Sequence, residues 1–536
     1  MPLEASIRVV RALADRGYNA EREAVTLLAG TSDTQAAIDA AVEVVPDDAV
    51  VVTADHVRKV LETTSHSHID GSSNASSETT TSSESAEPEN PSVSTGNTPT
   101  KPTDGVVEVP VETEGSSTRR AVPSRGESDG STMGSRSPTM PTVSGDIQST
   151  GTGEYRDFVT VFRDRYEKLA AKLRGRVNHR PTNAVASMPG GSDSAIIGMV
   201  SDVRSTANGH WLVELEDTNG RFPCLVMKDR EFAEDVRTLL YDEVVAVEGT
   251  LSDDAGILFV DALYFPDVPR THSPQRADRD VEAALISDVH VGSEEFLEDA
   301  WTNFARWLHT AEAESVEYLL IAGDMVEGIG VYPNQDEELE IVDIYDQYEA
   351  FSEHLKAVPG DLEVVMIPGN HDAVRLAEPQ PAFDEELRDI MSAHDAQISA
   401  NPSTVTIEGV SVLMYHGVSL DEVIAALPEE YASYEEPQLA MQQLLRKRHV
   451  APQYGGMTRI APEAEDHLVI EEVPDIFHTG HVHKLGYDTY RNVLSINSSC
   501  WQSQTDFQKS VNLDPDVGYA PIVNLETFEL TIRQFV

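Results

Sequence analysis

The feature that most restricts this chain is a pattern repeated five times in its C-terminal half. A short apolar run stops at a turn, most often beside a glycine, and delivers polar side chains there. "AALISDVHVG" ends in Asp288 and His290, "YLLIAGDMVEG" in Asp324, and "VVMIPGNHDA" in Asn370 and His371. "VSVLMYHGV" ends in His416 and "DIFHTGHVHK" in His481 and His483. Runs of this length and composition read as buried strands. From about residue 281 to 536 they alternate with helical periodicity, which predicts an α/β domain. In such sheets ligands bind outside the carboxyl ends of the strands. The five loops are therefore expected to converge on one point.

The chemistry of the five sets is mutually consistent. Two carboxylates, an amide oxygen and several imidazoles make an oxygen and nitrogen donor set without sulfur, suited to Mn²⁺, with Fe or Zn²⁺ as alternatives. Asp288, His290, Asp324 and His483 can hold one ion. Asp324, Asn370, His416 and His481 can hold a second, with Asp324 bridging. Two ions about 3.5 to 4 Å apart can clamp both oxygens of an in-line displacement at phosphorus. His371 is not counted as a ligand; it is placed to stabilise transition-state charge or to protonate the leaving oxygen. Taken singly, "GD" is commonly a turn, and a lone histidine after a strand is commonly a core or surface residue. The weight rests on "GNHD" and "GHVH" in order with the others.

The rest of the chain divides by pattern. Residues 1–62 predict a small helical domain, with "SIRVVRALADRGY", "EREAVTLLAG" and "ADHVRKVLE" as helices and Gly17 and Gly30 as stops. Residues 63–150 are acidic and rich in Ser and Thr, and no aromatic residue occurs between Tyr18 and Tyr155. Such a segment buries too little apolar area to offset chain entropy, so a disordered linker is expected. His66 and His68 lie in it. Residues 151–192 form a helical connector around "EYRDFVTVFRDRYEKLAAKLRGR", whose basic residues either touch phosphates or form the solvated face of a packed helix. Over 193–270 the period changes to two. Three strands, the helix "REFAEDVRTLL" and two more strands follow the order of an OB-fold barrel. Such barrels often stack unpaired bases on aromatic rings, and Trp211, Phe222, Phe259 and Tyr264 are the candidates, against a docking or structural role for the barrel.

Charge bears on the partner. Acidic residues outnumber basic ones 92 to 39, for a net charge of −53. Taken alone this argues against nucleic acid, because phosphate contacts normally need a basic face. In molar salt, however, the Debye length falls to about 3 Å, and an acidic surface spread over the whole chain is the solubility device of a halophile. Cys224 and Cys500 are the only cysteines, which excludes a disulfide framework and a thiolate metal site. No apolar run reaches the roughly 20 residues that span a bilayer. The N-terminus lacks the basic start and apolar core of a signal peptide, so a cytoplasmic protein without membrane association is expected.

The ordered motifs DVH, GD, GNHD, YHG and GHVH resemble those of the calcineurin-like metallophosphoesterases over about residues 281–510. That resemblance implies a two-sheet β-sandwich flanked by helices, a dinuclear site and phosphoester hydrolysis. "GDMVEG" lacks the Asp-Arg-Gly of protein Ser/Thr phosphatases, which argues against that class. A barrel directly before such a domain, and the tail "NSSCWQSQTDFQKSVNLDPDVGYAPIVNL", are similar to the small subunits of archaeal family D DNA polymerases. This second resemblance implies a metal-dependent 3′→5′ exonuclease that acts on the DNA primer 3′ end and proofreads for a separate large catalytic subunit. Trp501 and Phe507 in that tail are either packing residues or aromatic contacts to the large subunit. A stand-alone metallophosphoesterase on small nucleotides or cyclic diesters explains the motifs but leaves barrel and tail without a role. A purely structural replisome subunit has no need of the filled ligand positions.

Overall fold

The computed structural model describes residues 153–536 except 333 and 334, residues 107–109, and most of 9–65 and 139–147. It forms two compact units, 1–105 and 106–536. In the first, helices Arg22–Ala29, Thr34–Val42 and Ala54–Ser65 accompany a parallel strand pair, Asn19–Ala20 with Val51–Val52. The last helix runs past the expected boundary at residue 62. Most of the expected first helix lies outside the described residues, as do His66 and His68.

The second unit is built around two sheets. The seven-stranded sheet has the order Gln397–Ile398, Glu363–Ile367, Val316–Ala322, Glu282–Ile286, Tyr519–Asn524, Leu530–Gln534, Val107–Val109. Its first four strands are parallel. The six-stranded sheet has the order Leu485–Tyr490, Val493–Ser498, Ile476–Thr479, Val410–Met414, Ser403–Ile407, Thr142–Ser144. The sheets face each other across one apolar layer that includes Leu285, Leu320, Val365, Val412, Ile476 and Ile496. A second layer lies between the first sheet and helices Glu298–Leu308 and Ile344–Leu355, centred on Trp301, Phe304 and Phe351. A third lies between the second sheet and helices Ser419–Ala426 and Pro437–Lys447, through Leu420, Leu444 and Phe477. Strands buried on both faces must be apolar at successive positions, which is why these runs read as continuous rather than alternating.

The barrel is closed by five strands, Asp193–Ser205, Trp211–Asp217, Gly220–Val226, Leu258–Tyr264 and Val244–Leu251. Two corrections to the sequence reading arise in this unit. The stretch 63–150 is not a linker throughout: Val107–Val109 pairs with Leu530–Ile532, and Thr142–Ser144 pairs with Thr404–Thr406, each as an edge strand. The helix expected between the third and fourth barrel strands of the chain is present, as the 3₁₀ helix Glu231–Thr238. Of the four aromatic candidates only Phe259 is well exposed; Phe222 is buried in the barrel core, against which Trp211 packs, and the Tyr264 hydroxyl donates to Glu248. These four therefore make no row of exposed rings across the barrel face.

Helix Tyr155–Leu173 joins the two halves of this unit. Tyr166, Leu169, Ala170 and Leu173 pack on Ala195, Ile197, Val244 and Ala246 of the barrel and on Val469 of the sandwich. Two of its cations are held by carboxylates. Arg165, fully buried, places Nε 2.6 Å from Asp466 Oδ2, and Lys168 pairs with Asp164, Glu465 and Glu471. These contacts describe a helix packed between the barrel and the sandwich.

Candidate metal centre

The parallel strands of both sheets end at one place. Asp288, Asp324 and Asn370 follow the strands Glu282–Ile286, Val316–Ala322 and Glu363–Ile367; His416 follows Val410–Met414, and His481 and His483 follow Ile476–Thr479. The backbone there is forced into the left-handed region at Asp288 (φ 52°), His290 (56°), Asp324 (53°), His481 (73°) and His483 (53°). Each such non-glycine residue costs on the order of 1–3 kcal/mol, and clusters of them mark functional sites. The neighbouring glycines allow close approach. A Cβ on Gly369 would overlap the Asp324 carboxylate, and one on Gly480 would overlap the Asp288 carboxylate.

All seven expected ligands and His371 come together. Atoms of Asp288, His290 and His483 lie within 4.8 Å of one another, as do those of Asp324, His416 and His481, and those of His290, Asp324 and His371. His416 Nε2 sits 3.1 Å from Asp324 Oδ2 and 3.0 Å from Asn370 Oδ1. His483 Nε2 sits 3.4 Å from Asp288 Oδ1 and 3.1 Å from His290 Nε2.

The outward nitrogen of each ring has a partner that holds the ring in place, an oxygen for His290, His416 and His481 and the Gln508 amide donor for His483. His290 Nδ1 lies 2.9 Å from Glu327 Oε2, and His416 Nδ1 lies 2.9 Å from the Ala322 carbonyl oxygen. His481 Nε2 lies 3.0 Å from Asp421 Oδ2, and His483 Nδ1 lies 2.9 Å from Gln508 Nε2. His371 Nδ1 faces the Glu327 carbonyl oxygen at 2.8 Å, while its backbone N–H donates to Asp324 Oδ1 at 2.8 Å. Its side chain is 16% exposed, whereas those of His290 and His416 are sealed. His371, with His481 at 15%, is among the imidazoles most open to the pocket.

Glu327, Asp372, Asp421 and Gln508 were not identified from the sequence. Asp372 is the hub of the turn: its carboxylate accepts from the backbone of Gly369 and Asp324 at 2.9 Å each, and from the Tyr348 hydroxyl at 3.0 Å. Burial and the charge of Asp324 push it up to about 7. The available signals were its place in "GNHD" and that of Glu327 in "GDMVEG". Asp421 and Gln508 carry no motif. Burial would raise Glu327, but His290 against it prevails and holds it at about 2. Burial would also raise Asp324; His416 and His371 hold it well below the usual carboxylate range, and His416 in turn is pushed up to about 10.

The donor set suits a divalent cation. Buried carboxylates and inward-facing imidazole nitrogens are crowded together, and no Lys or Arg is among the described residues lining the pocket. Such a group of lone pairs is stabilised by a cation shared among them. The pocket holds about 140 Å³ and is walled on one side by Tyr332, Phe507, Val511 and Leu513.

The tail residues part company. Trp501 is fully buried, with its ring 5.2 Å from Phe304 and 5.7 Å from Trp301. Its side chain belongs to the helix-facing core and offers nothing to a partner, which corrects the expectation of an intersubunit contact there. Phe507 is 48% exposed and lines the pocket.

Residues 283–485 match the family model of the DNA polymerase alpha/epsilon B subunit. The DNA polymerase II small subunit of Halobacterium salinarum is 62% identical over 100% of both chains. The chain belongs to the DNA polymerase II small subunit family. The member from Archaeoglobus fulgidus is 45% identical over 69% of this chain and 75% of its own. That from Pyrococcus furiosus is 41% identical over 69% and 62%. Among solved structures, an archaeal phosphodiesterase aligns over 47% of this chain and 99% of its own at 14% identity, with a TM-score of 0.25, too low to bear on the argument.

Proposed function

We propose that this chain is the small subunit of a two-subunit replicative DNA polymerase, and that it carries a metal-dependent 3′→5′ exonuclease acting on primer ends. The observation that carries the reading is the convergence of the seven candidate ligand side chains at the strand ends, each imidazole held through its other nitrogen, in a member of a polymerase small-subunit family. A subunit with only a scaffolding role gains nothing from five left-handed residues held around such a set.

Asp288, His290, Asp324 and His483 would hold one divalent ion, and Asp324, Asn370, His416 and His481 the other. When bound, the ions supply Lewis-acid activation of the phosphodiester and of the attacking water. The chain's own residues do the rest. Asp372 fixes the turn that presents Asn370 and His371. His371, with Nδ1 tied to the Glu327 carbonyl, has Nε2 available to the pocket. The water oxygen bonds to phosphorus and gives up a proton, the bond from phosphorus to the 3′ oxygen of the penultimate nucleotide breaks, and His371 in its imidazolium form delivers its Nε2 proton to that departing oxygen, the proton lost by the water restoring the imidazolium. The net charge of −53 fits work in concentrated salt.

The test is digestion of 3′-labelled and 5′-labelled single-stranded and mismatched primer DNA in concentrated potassium chloride with Mn²⁺, alone and with the large subunit. Stepwise loss from the 3′ end, reduced about 10²- to 10⁴-fold in His371→Ala, is expected. Hydrolysis of a small phosphodiester without DNA shortening would point instead to a stand-alone phosphoesterase.

A further inference from the structure

The wall of the pocket holds a feature that the hydrolytic chemistry does not use. From His290 a run of rings leads outward: His290 to His371 (centroids 4.7 Å, edge-on), His371 to Tyr332 (6.1 Å), and Tyr332 to Phe507 (5.3 Å, interplanar 27°, stacked). The outermost ring, Phe507, is half exposed, with exposed Val511 nearby and Leu513 in the same wall. Apolar side chains exposed next to one another, rather than singly, mark a surface that binds something.

Both members of the stack are tied to the site. The Tyr332 hydroxyl donates to Glu327 Oε1 at 3.0 Å, and the other oxygen of that carboxylate holds His290. Phe507 lies in the short helix Asp506–Ser510, which Thr505 and Gln508 cap. Gln508 also reaches His483. The platform is thus fixed relative to the ligands rather than free to swing.

The surroundings select what can lie on it. Glu338 Oε2 lies 3.2 Å from the Tyr332 hydroxyl, and Asp506 adds a second negative charge beside it. The nearby cation, Lys509, is paired to Asp506 at 2.8 Å. With this acidic rim and no Lys or Arg among the described residues lining the pocket, a phosphate has no partner beside Phe507. An uncharged aromatic face does. Stacking on an aromatic side chain is worth about 1–3 kcal/mol per base and does not depend on sequence. Unlike phosphate pairing, it is not screened in strong salt.

We infer that Phe507, backed by Tyr332, is a stacking platform for the unpaired base of the nucleotide about to be removed. The inference rests on the nuclease reading above and specifies its substrate, a frayed single-stranded end rather than a paired one. A base still paired must be unpaired and unstacked before it can be drawn onto a ring beside the metal site, at a cost of a few kcal/mol.

The experiment uses the full-length His371→Ala protein, so that the end is kept, and an oligonucleotide with 2-aminopurine as its 3′-terminal base. Binding is expected to quench the fluorophore. Adding Phe507→Ala should abolish the quench and weaken affinity about tenfold, the size expected of one stacked base; Phe507→Trp should retain both. On an oligonucleotide with an abasic 3′ terminus the two proteins should bind alike. An unchanged quench in Phe507→Ala, or an equal affinity loss on the abasic end, overturns the platform. Digestion of unlabelled DNA by the wild-type protein runs alongside. If it occurs while the quench is indifferent to Phe507, the nuclease reading stands and the platform falls. If no DNA is bound or shortened, with or without the large subunit, both fall.

Discussion

His290 and His371 depend on one residue, Glu327, whose carboxylate orients the first and whose carbonyl orients the second. Glu327 is itself buried and held by Gln335 and Gln502. Replacing a group that orients a metal ligand typically costs 10- to 100-fold in affinity. Glu327→Gln should therefore weaken Mn²⁺ binding by about that factor in calorimetry while leaving the circular dichroism spectrum intact. Unchanged Mn²⁺ affinity would mean that the imidazole is oriented by packing alone.

At the scale of elements, Trp501 shows how a segment after the last ligand loop is fastened. Its ring joins Trp301, Phe304 and Phe535 in the core beneath helix Glu298–Leu308. Trp501→Ala should cost about 3–5 kcal/mol, read as a lowered chemical-denaturation midpoint, and any loss of association with the large subunit should disappear under conditions that keep the variant folded. Helix Tyr155–Leu173 is fastened differently, through Arg165, Asp466 and His449, whose Nε2 lies 3.0 Å from Asp466 Oδ2. Burial, and then the charge of Arg165, lower His449 from its usual 6.5 to about 4. A histidine depressed in the folded state leaves the unfolded chain binding more protons between those two values. Its contribution is complete above about 6.5 and is lost as pH falls toward 4. The denaturation midpoint should drop over that window, and His449→Gln should flatten the drop; an equally steep profile in the variant would exclude His449 as its source.

For the whole molecule, a charge of −53 means self-repulsion that only salt relieves. At about 0.1 M salt the Debye length is about 10 Å and the acidic faces repel; above about 1 M it is about 3 Å. The melting temperature should rise steadily with potassium chloride across that range. A melting temperature indifferent to salt would show that the acidic surface has another purpose.

The sequence alone determined the candidate donor set, the strand-end placement of each of its residues and the five-strand pattern of the barrel. These are local: a buried run, a stop and a polar residue after it are adjacent in the chain, and the loop rule for α/β sheets supplies convergence. Tertiary structure decided what depends on separation. Asp421 and Gln508 orient His481 and His483 from elements that share no motif with them. Val107–Val109 and Thr142–Ser144, in a stretch too polar to form a core, are strands only because finished sheets offer them open edges. Trp501 and Phe507 lie six residues apart in one aromatic tail, yet one is sealed beneath a helix and the other faces the pocket. Composition cannot separate them, because burial is decided by what the rest of the chain brings to each ring.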